Sequence, residues 1–384
     1  MKDVIAYSPA RLSKREALVT DSNETVAANP GRREFLRRTS AGAAVTLGAP
    51  YVWAQRTDET LIVNTFGGEY QELFEKTVLQ PFEKKFGVKV IHDATGTSSQ
   101  DYAKIRASRG APGFDVAAAL SPPEVILGAK ENLLERITEK EVPNIKFTWE
   151  KARAALPPVG VMHTLQFDSL FYNKDKIERP QSWADYWTPE KRYGPKIKGH
   201  VINYNPANLL SVYALIHAAE LGGGSTANMD PAWALLKAQK PWVGVVVTAS
   251  AEAAPHFENG EVWISPYWSA RAGYYIGRGL PYGMTVPKEG VIANIDSASV
   301  PIGAKNKKLA YEFINFWLEP AMQRAWSIAY HCSPGRGDIG DWPKAFAESQ
   351  IVTPKQFELV RLPDLDAIGA NRKDWSLKWQ EIMG

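Results

Sequence analysis

The residues with chemistry to offer stand singly in this chain rather than in catalytic groupings. Asp296 sits inside 292–302, an alternating apolar and β-branched run that reads as a strand. An acid there either faces solvent or caps a helix, or it holds a fixed negative charge for a ligand. Arg271 and Arg336 carry the planar guanidinium that grips a carboxylate with two prongs, or else they are surface charges. Cys332 is the only cysteine, and His331 precedes it. A catalytic thiol needs a base and an oxyanion site close in space. Neither is recognisable, so a packed structural cysteine is expected. His217 lies in a mostly apolar helical stretch and reads as packed. The sequence contains no P-loop, dinucleotide fingerprint, HExxH, cysteine cluster or GxSxG, so no catalysis, cofactor or metal site is expected.

The elements that must position these residues follow an α/β pattern. A strand over 60–65 runs into the turn Gly67-Gly68, followed by an amphipathic helix over 70–86 and a strand over 87–91. That order makes a parallel α/β unit, in which ligands sit beside the loops at the strands' carboxyl ends. A helix is expected over 101–108. The strand 114–119 runs into Ser121-Pro122-Pro123, where two prolines predict a rigid loop in place of a helix. Strands over 159–162 and 170–173 bracket 163–166, read as the crossing out of a first lobe. Ser182 suits the cap of a helix over 182–187. The strand 201–204 ends in Asn205-Pro206-Ala207-Asn208, and helices are expected over 211–221 and 230–240. A strand over 262–265 leads to Trp268 and Arg271. After the turn Val286-Pro287-Lys288-Glu289-Gly290 and the Asp296 strand, Leu309, Phe313, Phe316 and Trp317 recur at helical spacing, with Pro320 expected to close that helix.

Length and composition bound the class. At 384 residues two domains are expected, and 45% hydrophobic content is ordinary for a soluble globular protein. No apolar run reaches the ~20 residues needed to cross a bilayer. The formal charge of +3 sits in the first 54 residues, which hold eight Lys and Arg against five Asp and Glu. The remainder is neutral without a basic tract, which argues against nucleic acid as a partner. Within the first 54 residues, an extension over 1–30 precedes Arg32-Arg33-Glu34-Phe35-Leu36, a small-residue stretch and Val52-Trp53-Ala54. This resembles a twin-arginine export signal cleaved after Ala54, which implies the twin-arginine export machinery as a partner and a periplasmic destination.

Four fragments in order carry a second resemblance. Phe66-Gly67-Gly68-Glu69-Tyr70, Pro180-Gln181-Ser182-Trp183-Ala184-Asp185, Gly260-Glu261-Val262 and the run from PKEG through Asp296 to FINFWLEP resemble the periplasmic spermidine/putrescine-binding proteins of ABC importers. The resemblance implies a non-catalytic, monomeric binding protein with the two-lobe, type II periplasmic-binding-protein α/β fold. A ligand cleft would lie between the lobes, and the partners would be a small-molecule solute and the transmembrane subunits of an ABC permease. The expected lobes are 58–164 with 297–333, and 165–296 with 334–384, where Trp375 and Trp379 pack the last helix.

The resemblance also implies a site. Trp268 matches the family's cleft tryptophan, Asp296 the aspartate that takes an amine, Ser121 a loop serine and Tyr330 a tyrosine. Phe66, Gly67 and Gly68 form the loop after the first strand. The departures bear on the solute. Where polyamine binders carry an Asp and a Glu, this chain has Asn205 and Asn208; a loop tyrosine is replaced by Pro123, and a second cleft tryptophan by Asn294. A diamine would lose counter-charge, at a cost of several kcal/mol for an unpaired buried ammonium. One acid, two amides, Arg271 and Arg336 suit a solute with an amine and an anionic or hydroxylated end. Opine-like, betaine-like and amino acid derivatives all fit that description. Two alternatives stand beside this reading: ferric iron held by Tyr274 and Tyr275, and a twin-arginine-exported enzyme.

Overall fold

The structure is a computed structural model and describes residues 59–384; the export-signal reading lies outside the described residues. Its strands are β1 (Thr60–Phe66), β2 (Lys89–Gly96), β3 (Val116–Leu120), β4 (Val161–Asn173), β5 (Val201–Tyr204), β6 (Val243–Val247), β7 (Ile264–Trp268), β8 (Tyr282–Thr285), β9 (Val291–Ser299), β10 (Ser333–Pro334) and β11 (Val360–Arg361). They run in the order β2-β1-β3-β9-β4-β7-β5-β6, with β8 and β10 also on β4 and β11 on β9. β1 pairs in parallel with β2 and β3 at one end, and β5 in parallel with β6 and β7 at the other. Between them β9 and β4 are antiparallel. The architecture is mixed α/β.

β4 is the hinge between the two ends. The segment 163–166, expected as the crossing out of a first lobe, is the middle of one continuous strand: both its sides are packed, only Gln166 is partly open, and the chain stays extended for thirteen residues. Val161–Phe167 pairs with β9, and Asp168–Tyr172 pairs with β7. The handover at Phe167 and Asp168 brings the carboxyl ends of β3 and β7 to the same place.

The prolines act as helix starters. Ser121 precedes the helix Pro122–Lys130, and Pro320 opens the helix Pro320–Tyr330 rather than only closing the one before it. A first-turn proline lacks only an N–H that has no intrahelical acceptor, so both positions tolerate it. The helix after β1 is broken into Glu69–Phe74 and Gln80–Phe86 around a π-helical stretch, Glu75–Leu79. Its buried Phe74 and Phe82 face Phe313, Trp317 and Trp326 of the helices Lys307–Trp317 and Pro320–Tyr330. At the other end Trp183, Trp187, Tyr213, Trp375 and Trp379 are buried together. Trp379 also donates its indole N–H to the Asn203 side chain, 3.2 Å away, docking the last helix, Leu365–Met383.

The chain between these helices does not follow its expected lobe. Within 334–384, Gly335 O accepts from Trp149 N, and Phe357 stacks on the Trp149 ring with centroids 4.5 Å apart. This part covers the expected first lobe before the last helix returns to the second. The apolar Trp149 face provides the reason, because Phe357 and Ile351 bury against the same cluster.

Candidate functional site

The floor of a cavity of about 680 Å³ is laid by the two central strands. Asn294 and Asp296 are two apart on β9 and so share a face, and Gln166 of β4 stands opposite Asn294. Gln166 Nε2 donates to Asp296 Oδ2 at 3.0 Å. That is the one hydrogen bond the Asp296 carboxyl makes among the described residues. The carboxyl is 2% exposed, and its burial pushes its pKa up to about 6, against the lowering effect of Gln166. A buried carboxyl with a single neutral donor is under-compensated, which favours binding of a cation.

The walls are loops at strand ends and the starts of helices. After β1 come Phe66, Gly67, Gly68 and Tyr70, and after β3 comes Ser121. Gly68 has φ +71°, which a residue with a side chain rarely adopts, so the turn depends on glycine there. From the far side come Trp268, at the end of β7, and Arg271, Tyr274 and Tyr275 of the helix Ser269–Gly277. Tyr330 and His331 close the remaining side. Tyr70 sits edge-on to Phe66 and to Tyr330, with centroids 5.3 and 5.0 Å apart, and Trp326 stacks on Tyr330 at 4.9 Å. A ring in this wall whose face is open to the cavity attracts a cation, because the π face carries the negative part of the ring quadrupole. Among the described residues the buried Tyr70 hydroxyl has no hydrogen-bond partner, and burial together with Asp296 raises its pKa well above the usual range.

Nine of the residues singled out from sequence line this cavity: Phe66, Gly67, Gly68, Ser121, Trp268, Asp296, Tyr330, Arg271 and Asn294. Asn208 lines a neighbouring hollow, where its side chain caps the helix Leu209–Leu221 by accepting from Leu210 N at 3.0 Å. Asn205 is outside both; its Oδ1 accepts from Ala207 N and shapes the turn. Arg336 is a correction. It is 2% exposed, bound to Asp338 (Nη2 to Oδ2, 2.6 Å), and lies 4.6 Å over the Phe147 ring, away from the cavity. An acid two residues along the same turn satisfies it locally.

Sequence reasoning missed Tyr70, Gln166 and His331 as lining residues. Tyr70 passed as the first residue of an amphipathic helix, and Gln166 fell in the segment read as the crossing out of the first lobe. His331 was weighed only as a partner for Cys332, which burial holds as a neutral thiol. Tyr274 and Tyr275 do line the cavity, with ring centroids 5.4 Å apart. Burial raises the Tyr275 hydroxyl pKa, and no group of three His, Cys, Asp or Glu among the described residues stands ready to ligate a metal. Those features do not favour a ferric site.

Comparison with known proteins agrees with this geometry. A family described as bacterial extracellular solute-binding protein matches residues 77–353. The spermidine/putrescine-binding periplasmic protein of Salmonella typhimurium is 27% identical over 310 residues, covering 78% of this chain and 84% of its own. The gamma-aminobutyric acid-binding protein of Pseudomonas aeruginosa is 25% identical over 325 residues, covering 82% and 88%. Among solved structures, the spermidine/putrescine ABC transporter substrate-binding protein of Streptococcus pneumoniae superposes with a TM-score of 0.70 at 18% identity, over 85% of this chain and 100% of that one. The family binds solutes rather than transforming them, and it works in the periplasm or outside the cell. The protein belongs to the bacterial extracellular solute-binding proteins, the components that present a solute to an ABC transporter.

Proposed function

We propose that this protein captures a small amine-bearing organic solute in the cavity over β4 and β9, with the amine on Asp296, and delivers it to a membrane permease. The observation that carries this reading is Asp296 itself. Among the described residues it is the only carboxylate lining the cavity, it is buried, and Gln166 is the one hydrogen-bond donor to its carboxyl group. The aromatic wall of Tyr70, Tyr330 and Trp268 supports a cation next to it. The relatives bound to polyamines and to gamma-aminobutyric acid by name have the amine in common, and this chain's lining narrows the choice. Among the described residues a second or third ammonium finds no further acid in the cavity, which disfavours a diamine or triamine.

The test is a thermal-shift screen against amines, opines and amino acid derivatives, followed by calorimetric titration of the wild type and Asp296→Asn. Asparagine keeps the shape and removes the charge. Breaking a buried charged pair on one side costs about 3–5 kcal/mol, roughly two to four decades in affinity. Unchanged affinity in Asp296→Asn overturns the assignment of the amine.

Export by the twin-arginine pathway is part of the same proposal, supported by Arg32-Arg33 and the weakly apolar stretch behind them. Changing both arginines to lysine is expected to leave the protein cytoplasmic and unprocessed. Fractionation showing normal periplasmic processing of that double variant would remove the pathway from the account.

A further inference from the structure

Beside the main cavity lies a second hollow of about 430 Å³ that shares two of its walls, Trp268 and Arg271. Its other walls are Asn208 and its neighbours at the end of β5, and Thr248, Ser250 and Ala251 after β6. The two spaces therefore meet at one tryptophan edge and one guanidinium.

The chemistry of the second hollow is one-sided. Among the described residues Arg271 is the only ionisable one that lines it. That guanidinium makes no hydrogen bond or ion pair among the described residues, whereas Arg278 on the same helix or just beyond it pairs with Glu258 at 3.0 Å, and Arg336 pairs with Asp338. The Asn208 amide is committed: it caps its helix and donates to Thr248 O at 3.1 Å and Ser250 Oγ at 3.2 Å. Because Ser250 Oγ accepts from Asn208, its own proton is left to donate. The hollow thus presents a charged fork and a hydroxyl donor, with no carboxylate to receive a cation.

We infer that this hollow is a second compartment of the binding site that takes a carboxylate, so the solute is a zwitterion whose acidic end reaches past Trp268 to Arg271 while its amine stays at Asp296. The inference rests on the amine assignment above and adds the other half of the molecule. A terminal ammonium placed in this compartment would face Arg271 with no acid to offset the repulsion. A carboxylate would meet the two-pronged donor that such groups favour. A quaternary or hydroxylated solute without an acid would leave Arg271 unused.

The experiment uses the full mature chain and three probes: putrescine, 4-aminobutyrate, and N-(1-carboxyethyl)arginine as an opine-type conjugate. Calorimetric titration is expected to give the tightest binding for the carboxylate-bearing probes and at least tenfold weaker binding for putrescine. In Arg271→Gln the carboxylate probes lose tenfold or more, while putrescine binding is not weakened. Arg271 is exposed and unpaired, so the melting curve of the ligand-free variant stays unchanged, which separates lost binding from lost folding. Putrescine binding tighter than both carboxylate probes, or no response to any of the three, overturns the inference. So does carboxylate binding that Arg271→Gln leaves intact. If Asp296→Asn weakens binding and Arg271→Gln does not, the acidic compartment fails and the amine assignment survives. If only Arg271→Gln weakens binding, the amine assignment fails instead.

Discussion

Asp296 is held where its own charge is costly. Burial pushes its pKa from the ordinary 3.8 up to about 6 in the folded protein, so the folded state binds this proton more tightly than the unfolded chain does. The sign follows directly. The group's contribution to ligand-free stability is fully present below about pH 4 and is lost as pH rises through 6, with a total of about 3 kcal/mol for a shift of two units. An amine reverses that preference, because it needs the charged carboxylate. Affinity is therefore expected to rise with pH up to about 6 and then flatten, and binding near pH 5.5 is expected to release about one proton or somewhat less. Calorimetry at that pH in two buffers of different ionisation enthalpy measures the count. His331, the other cavity group that titrates nearby, has its pKa lowered by burial and so moves away from this window. Heats that do not depend on the buffer would show that Asp296 does not change its proton on binding. The position of Asp296 in a strand was legible from alternation alone, but its burial was not. Burial depends on Gln166 and β4, whose register against β9 no local pattern states.

At the scale of elements, β1, β5 and the helices Leu209–Leu221 and Lys307–Trp317 lie within a few residues of the expected spans. Lys307–Trp317 is amphipathic and its spacing marks it, whereas β5 and Leu209–Leu221 are buried on all sides and are marked instead by the turn residues Asn205-Pro206 and Gly222-Gly223-Gly224 that bound them. β4 was read as two short strands because it is packed on both sides along most of its length, so no alternation marks its middle. The prolines misled in a consistent way. Pro122 and Pro320 were treated as stops, yet each begins a helix, and only the residues after them decide between the two. The same distinction explains Asn208, which was read as a binding residue in place of a family acid. It stands immediately before an apolar helix, and asparagine there is the residue type that caps by accepting from the second or third N–H. Its effect on any solute is indirect, through the wall it fixes with Thr248 and Ser250.

Across the whole molecule, one polar chain ties the second end of the sheet to the central strands and to the C-terminal segment. Asp168, fully buried on β4 at the handover point, accepts from Ile292 N at 2.6 Å and from His217 Nε2 at 2.9 Å. His217 Nδ1 meets Arg361 Nη2 at 3.0 Å, and Arg361 in turn pairs with Glu220. Arg361 belongs to β11, which is paired with β9. None of these residues lines the cavity, so their role is to hold the crossing strands rather than to bind. β4 pairs with β9 towards one end of the sheet and with β7 and β8 towards the other, so opening either end breaks ladder bonds of the same strand. The protein is therefore expected to unfold in one cooperative step, with near- and far-ultraviolet dichroism melting together. Asp168→Asn leaves an acceptor for Ile292 N but removes the charge facing His217 and Arg361. Weakening a buried pair in this way is expected to cost about 3 kcal/mol and to lower the melting temperature by several degrees. A confirmed solute at a hundred times its dissociation constant adds about 2.7 kcal/mol, and it is expected to raise the single transition in wild type and Asp168→Asn by similar amounts. Two separate transitions, only one of them shifted by the solute, would show that the ends of the sheet are energetically independent despite the strands they share.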